Sequence, residues 1–449
     1  MNHQERHTGK GAMVRRAIVL GGSFAGLLAA RVLADHADEV RILEPDGTDS
    51  GGQGAPHRQQ LHALLSMGHM QLDRWFRGFS EELVHKGAQL GTGPAVQYYV
   101  DGVLKPCLPD NTMLSATRPF LEEHVRQRVL ALPNVRLKAA RATGLLFTGT
   151  RVCGVRFRPG DHETSSEELS ADLVVDAMGR SSRLSTWLRE EGWEEAPQDR
   201  MRVDLGYATA LFHRGGELPG TVIAHASPGP STGYQQHLTE PGALAAVEAN
   251  RWSVVLVGYR DYRPTRDPEE FLRRMRGCVA PLSQVATQCQ LDGDIETFHF
   301  QESRRRSFTR LPRFPGGLIA VGDAVASVNP VYGQGLTLAT LAASSLSAHL
   351  RTGASPQAPA WGYFRRMDAF VDAAWRVSTA ADLAQPHVTG PYPPGYRLIR
   401  WAGDKVLKAS VIDLVVNAEF MAVVNMRKHP RTLAKPRTLL RTARVLARR

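Results

Sequence analysis

The sequence predicts an α/β fold, with a parallel sheet and antiparallel meander, a β-rich insertion, and a helical C-terminal region. Three stretches carry the prediction. Ala17-Ile18-Val19-Leu20 runs into Gly21-Gly22-Ser23-Phe24-Ala25-Gly26 and an apolar run to Leu33, which reads as strand, tight turn and helix. Ala171-Asp172-Leu173-Val174-Val175-Asp176 reads as a buried strand. Gly317-Leu318-Ile319-Ala320-Val321-Gly322-Asp323 reads as another, ending in an acid, and Asn329-Pro330-Val331-Tyr332-Gly333-Gln334-Gly335 follows as a glycine-punctuated helix start.

The first turn departs from the usual three-glycine fingerprint at Ser23. Gly21 still permits the tight turn and Gly26 a close approach of helix and sheet. Glu39-Val40-Arg41-Ile42-Leu43-Glu44 reads as the second strand, and Glu44 lies 18 residues beyond Gly26, where a ribose-binding carboxylate belongs. The plainer alternative is an ordinary strand–turn–helix with Glu44 on the surface. A dinucleotide held by a Rossmann-like turn and by an acid far along the chain is most simply FAD. Asp323, an acceptor at a strand end, suits hydroxyl donors; the alternative is a helix N-cap. Gly333 and Gly335 keep side chains away from a helix N-terminus, whose partial positive charge suits the pyrimidine edge of a reduced flavin.

Between these segments the texture changes. Arg118-Pro119 opens a helix with proline in its first turn. Segments 134–140, 142–148 and 151–158 read as the antiparallel meander. From about 201 to 300 the chain is β-rich, with strands expected at 203–212, 220–226 and 252–259. Beyond 356 it turns helical, with a loop from Pro386 to Gly395. The expected organisation is therefore FAD-binding pieces at 14–75, 112–200 and 301–355, substrate-domain pieces at 76–111 and 201–300, and a helical region with a basic tail at 356–449.

Composition fits an intracellular enzyme. With 449 residues, 43% hydrophobic and 22% charged, the chain can bury a large core in two or three domains. Cys107, Cys153, Cys278 and Cys289 lack metal-ligand spacing, the first twelve residues lack an apolar signal segment, and no stretch is long enough to span a membrane. These features imply free thiols, no metal site and a cytoplasmic protein. Nine of the net +11 charges lie between Arg427 and Arg449, leaving +2 for the preceding residues. That location argues against nucleic-acid binding, since no recognition motif or aromatic platform accompanies the charge. Leu439, Leu440, Ala443, Val445 and Leu446 are expected on one face of a docked terminal helix; a membrane surface or an acidic carrier protein is the alternative use of the basic face.

Weaker constellations remain. His57 and His62 near an arginine read either as acid–base groups or as packing residues. Arg304-Arg305-Arg306 reads as a solvated strand edge or as a phosphate clamp. Tyr207 alternates with Val203, Leu205, Thr209 and Leu211 on one strand face, which lines a pocket or fills the core. No nucleophile elbow is apparent.

On these residues the chain resembles the FAD-dependent monooxygenases of the para-hydroxybenzoate hydroxylase type, and within them an actinobacterial branch that includes flavin epoxidases of polyether biosynthesis. The carrying motifs are Gly322 through Gly335 and Val174-Val175-Asp176-Ala177-Met178-Gly179-Arg180; Trp375 through Asp382-Leu383, Pro386 and the Asn425 helix match more loosely. The resemblance implies cofactor contacts from Gly21, Gly22, Ser23, Phe24, Ala25, Gly26, Glu44, Arg118, Asp323, Gly333, Gly335 and Leu336, with Tyr207 and Tyr332 lining the substrate. It implies oxygen transfer from O2, through a flavin hydroperoxide, to a hydrophobic polyketide or terpenoid intermediate of antibiotic-type secondary metabolism, by epoxidation or hydroxylation. The chemistry is flavin-borne, so no catalytic side chain is implied.

Three departures bear on the cofactors. Met178 stands where relatives carry an acid, and only one dinucleotide fingerprint exists, so NAD(P)H is expected as a transient reductant, or electrons arrive from a separate reductase. Gln59 stands where the branch usually has arginine, with Arg58 beside it. A flavin-dependent reductase or dehydrogenase, and a non-redox cyclase or isomerase using FAD as a pocket wall, are the alternative functions.

Overall fold

The run from Val14 to Leu20 is apolar except at its start, and its buried residues mark a strand covered on both faces. In the structure, a computed structural model describing residues 14–46, 56–62, 64–160, 165–229 and 239–448, it is the central strand of a five-stranded parallel sheet. On one side lie Leu173–Asp176 and then Leu318–Ala320; on the other lie Ala37–Glu44 and Val135–Ala139. The register pairs Leu20 with both Asp176 and Leu43, and Asp176 with Ala320. The turns after three strands, at Gly21, Ala177 and Gly322, therefore open on one edge beside Glu44. That edge is where open α/β sheets bind ligands.

The meander differs from the sequence expectation. Residues 135–139 belong to the parallel sheet, and the antiparallel trio is Arg141–Thr148, Arg151–Arg158 and Glu167–Ser170. Val135 and Leu137 carry inward side chains that suit either setting, and only the pairing with Ala37–Glu44 decides between them.

The β-rich insertion is an eight-stranded sheet, ordered Ala326–Ser327, Leu291–Arg306, Gln198–His213, Arg251–Tyr259, Gly242–Val247, Ile223–Ser227, Val96–Val100 and Val103–Leu104. Two of these strands, Gln198–His213 and Leu291–Arg306, run across the positions 200 and 300 expected to divide the pieces. Gly242–Val247 was not expected as a strand, being alanine-rich and without the β-branched pattern; of Leu291–Arg306 only the arginine run at its end was read as a strand edge. Alternation gives the sheet two faces. Ala208, Phe212, Leu244, Val254 and Leu256 pack with Phe271, Met275 and Leu282 of helices Pro268–Arg276 and Ala280–Gln288. Tyr207, Ala243, Ala245, Val255, Val257 and Tyr259 face the opposite way, into a cavity.

Helices Trp361–Asp382, Tyr396–Ser410, Leu414–Val424 and Pro436–Ala447 close the far side of that cavity. The terminal helix is docked, with Arg441 on Asp413 at 2.8 Å, but not by the expected face. Thr438 and Thr442 are buried and Val445 and Leu446 packed, while Leu439, Leu440 and Ala443 are exposed toward the cavity mouth. The neighbouring helices select the i, i+4, i+7 row from Thr438, a choice that apolar counting on one helix cannot make. No described helix is long and apolar enough to cross a membrane.

The helix Phe24–Leu33 approaches the sheet at Gly26, where an added Cβ would lie 1.9 Å from the Gly21 carbonyl oxygen. Gly26→Ala is expected to destabilise the protein by roughly 1–3 kcal/mol through overpacking against backbone that cannot yield. Chemical denaturation checks this; an unchanged midpoint would contradict the close approach.

Candidate functional site

Three loops meet at the carboxyl edge of the parallel sheet because their backbones touch. Gly21, at φ +105°, sits where a Cβ would lie 2.6 Å from the Ala177 carbonyl oxygen, and a Cβ on Gly322 would lie 2.7 Å from the Ala25 Cβ. Gly179 faces Asp323 at ordinary contact distance. The helix Phe24–Leu33 begins with no side-chain cap and no acid in its first turn, so its N-terminal amides keep their partial positive charge available.

Glu44 is buried against this turn and not on the surface: its carboxylate accepts from the Gly22 N–H at 2.5 Å and the Asp46 N–H at 3.2 Å. Arg118, at the first turn of helix Arg118–Leu130, reaches Ser23 Oγ at 3.5 Å and His62 Nε2 at 3.1 Å, and pairs with Glu122 at 3.4 Å. Burial lowers its guanidinium from the ordinary value, opposed by Glu122 and Asp323. Arg58 completes this network through Glu122 at 3.0 Å, while Gln59 is exposed. His62 thus joins the turn to the cavity; the His57 side chain lies outside the described residues.

Asp323 does not cap a helix through its side chain. Its carboxylate accepts from the Ser327 hydroxyl at 3.3 Å. Burial raises its pKa, offset by Arg118, Arg180, Ser327 and Arg304. Arg180 donates to Ser327 Oγ at 2.7 Å and lies over the Phe300 ring. The arginine run is accordingly not a solvated edge. Arg304 donates to the Arg180 carbonyl, and burial with neighbouring Arg180 and Arg306 lowers it to about 10. Arg305 pairs with Asp199 at 2.8 Å over Trp375, and Arg306 donates to the Ala324 carbonyl at 2.6 Å. These arginines end the strand Leu291–Arg306, which pairs with Ala326–Ser327, and so hold the segment that follows Asp323.

Asp176, fully buried, receives the Met178 N–H at 3.0 Å and the Ser182 hydroxyl at 2.5 Å, so it fixes the loop carrying Met178 and is not presented at the surface in place of the missing acid.

Gly333, at φ +66°, starts helix Gln334–Leu350, which also lacks a side-chain cap and a first-turn acid. At Gly335 a Cβ would meet nothing within 4 Å, leaving open space above the helix start. Gln334, buried in the cavity wall, has an Oε1 without a partner; Leu336 is buried one residue beyond Gly335. The cavity runs from His62, Tyr332, Gly333 and Gln334 to the C-terminal helices and measures about 1910 Å³.

One polar cluster behind this wall was missed by the sequence reading. Asp382, fully buried at the end of its helix, accepts from Asn329 Nδ2 at 2.7 Å, Tyr332 Oη at 3.1 Å and Ser378 Oγ at 3.1 Å. With no cation facing it among the described residues, burial pushes its carboxyl up to about 7. Tyr207 and Tyr332 both line the cavity, and burial lifts both phenols well above 10, so they are neutral hydroxyls. Tyr207 Oη has no hydrogen-bond partner; the Val331 N–H nearby is already given to Asn329 Oδ1 at 3.0 Å. Asp382 and Asn329 lie in motifs singled out by the sequence, but only folding brings them together. Among the described residues no group of His, Cys, Asp and Glu is arranged to hold a metal.

No protein-family model matches the sequence. Solved structures resemble the whole chain. The flavin-dependent brominase Bmp2 superposes with a TM-score of 0.66 at 15% identity, covering 96% of this chain and 98% of that one. The p-nitrophenol 4-monooxygenase PnpA from Pseudomonas putida DLL-E4 gives 0.66 at 16% identity, covering 92% and 99%. The protein thus has the fold of the flavin-dependent monooxygenases and halogenases. Closer in sequence is Protein Rv3254 of Mycobacterium tuberculosis (strain ATCC 25618 / H37Rv), 30% identical over 424 residues that span 90% of this chain and 88% of that protein. The chain belongs to the family of that protein.

The Asp382 environment makes a stability prediction. Its folded-state pKa lies above the ordinary carboxyl value, so the folded protein holds a proton that the unfolded chain releases near pH 4. The contribution is full below that pH and is lost as pH rises toward about 7. Stability should fall across this window by up to about 1.4 kcal/mol per pH unit from this group. Asp382→Asn should remove that slope, so that the variant gains on the wild type from pH 5 to pH 8 in denaturant titrations. Parallel pH profiles would contradict the assignment.

Proposed function

We propose that the protein is an FAD-dependent monooxygenase acting on a large hydrophobic substrate. The observation that carries this reading is the convergence of the Gly21–Gly26 turn, Glu44, Arg118 and Asp323 at the carboxyl edge of the parallel sheet, joined through His62 to a cavity whose wall includes Gly333 and Gln334 at the start of a helix. The donor set suits the cofactor. Open helix amides and Arg118 match a pyrophosphate, Glu44 can exchange the Gly22 amide for ribose hydroxyls, and Asp323 can accept from a ribityl chain. Gly333, Gly335 and Leu336 offer backbone N–H groups, with the space at Gly335 leaving room for a ring edge.

When bound and reduced, FAD supplies the activation of O2 and the transfer of one oxygen atom. The chain's own residues then bind, orient and exclude water. Tyr207 and Tyr332 wall the cavity with neutral phenol rings, and Asp382, itself held by Asn329, fixes the Tyr332 ring through its hydroxyl. The C-terminal helices wall the far side of the cavity. Its volume of about 1910 Å³ exceeds the roughly 300–1,000 Å³ of ordinary small-molecule pockets. Exposed Leu398, Ile399, Trp401 and Leu440 at its mouth suit an apolar guest. This supports a polyketide- or terpenoid-sized intermediate and either epoxidation or hydroxylation. The single nucleotide cradle supports NAD(P)H as a passing reductant, or a separate reductase as electron donor.

The purified protein should be yellow with non-covalently held FAD, and protein that is colourless and takes up no added FAD would sink the reading. Asp323→Ala should weaken FAD binding by about 1.5–3 kcal/mol, the worth of a hydrogen bond to a charged group, measured by fluorescence titration of the apoprotein. Under anaerobic conditions, NADPH should bleach the flavin slowly or without saturating at millimolar concentrations. Rapid bleaching with micromolar half-saturation would reveal a pyridine-nucleotide site and overturn the electron-donor proposal.

A further inference from the structure

The hairpin Val96–Val100 to Val103–Leu104 ends at the edge of the eight-stranded sheet, and the next residue is Lys105. Its N–H donates to the Tyr98 carbonyl at 2.8 Å, which turns the side chain onto the cavity face beside Tyr98. Register places His225 opposite Tyr98 on the neighbouring strand Ile223–Ser227, and the two rings lie 6.1 Å apart. Helix Leu414–Val424 covers this corner with Phe420 and Met421. Lys105 is buried, at 5% exposure, so it does not follow the usual habit of burying the stem and leaving the ammonium in water.

The ammonium has only weak partners. Nζ lies 4.2 Å from the centre of the Phe420 ring and donates to Met421 Sδ at 3.7 Å. No carboxylate among the described residues pairs with it. An aromatic face and a thioether are what a buried cation accepts when no anion is present. Burial accordingly pulls Lys105 down to about 7, and burial together with Lys105 pulls His225 down to about 4. A buried charge is normally paired, and leaving it unpaired costs more than almost any other placement. No other group in the site described above uses this lysine.

We propose that Lys105 is the anchor for a carboxylate on the hydrophobic molecule that fills the cavity. The acid would take the ammonium protons left free by Met421, with Tyr98 and His225 flanking it. The carbon skeleton would extend through the apolar cavity toward Tyr207 and Tyr332. The substrate class is therefore an apolar carboxylic acid, whose free carboxylate the reaction leaves intact. This deepens the monooxygenase reading and rests on it only in treating the cavity as the substrate site.

The test is isothermal titration calorimetry of the holoenzyme with decanoate below its critical micelle concentration and with 1-decanol below its solubility limit. The wild type should bind decanoate at least about tenfold more tightly than the alcohol, the factor expected for a charge-assisted hydrogen bond. Lys105→Met should lose that preference while binding 1-decanol as before, and Lys105→Arg should keep much of it. Equal wild-type affinity for acid and alcohol overturns the proposal without any variant, so a poorly folded mutant cannot shelter it. A preference that survives in Lys105→Met also overturns it, by placing the anchor elsewhere. Heat of binding is independent of turnover. A protein that fails to retain FAD or to be reduced would sink the oxygenase reading, whereas loss of acid preference alone sinks only the anchor.

Discussion

The carboxyl edge of the parallel sheet depends on backbone packed too closely for side chains. Gly26 lies against the Gly21 carbonyl, Gly21 against the Ala177 carbonyl, and Gly322 against Ala25. These contacts bring three sheet-end loops together and leave the Phe24–Leu33 helix uncapped at the same point. A side chain at any of these glycines would separate loops that must share a small volume. Glu44, Arg118 and Asp323 acquire their surroundings from this approach and have no direct contact in the sequence.

Electrostatics then divides the interior. Around Asp323 the guanidinium groups of Arg118, Arg180 and Arg304 favour the charged carboxylate against its burial. Around Asp382 no cation among the described residues intervenes, and a carboxyl with three neutral donors is lifted to about 7. Near Lys105 the opposite charge is left alone. The first environment suits an anionic cofactor, the second holds a neutral phenol wall in place, and the third supplies one charge to an apolar chamber. Such separation needs the low-dielectric walls that the large sheet and C-terminal helices provide together.

Much of the parallel sheet was legible in the sequence because its strands are short, apolar and bounded by glycine. The turn residues were legible for the same reason: a glycine needed for positive φ or close approach leaves few substitutes. The meander was misdrawn because a half-buried strand such as Val135–Ala139 carries no mark of its partner. Gly242–Val247 escaped because alanine gives no period, and most of Leu291–Arg306 because its charges are paired by neighbours invisible along the chain. The terminal helix kept its place, but its packed row was set by the helices beneath it.

By itself the sequence determined the fold class and the glycine geometry of the first turn, because these rest on local patterns of apolar residues and glycine. Tertiary structure alone decided which charges are paired. Arg304, Arg305 and Arg306 read as solvated and are bound into the protein; Asp382 gains two donors from the distant Asn329–Tyr332 segment and a third from its own helix; Lys105, in an unremarked stretch after a hairpin, is buried with no anion among the described residues. The physical reason is that burial and pairing are properties of the space around a group. That space is built here by strands and helices hundreds of residues apart.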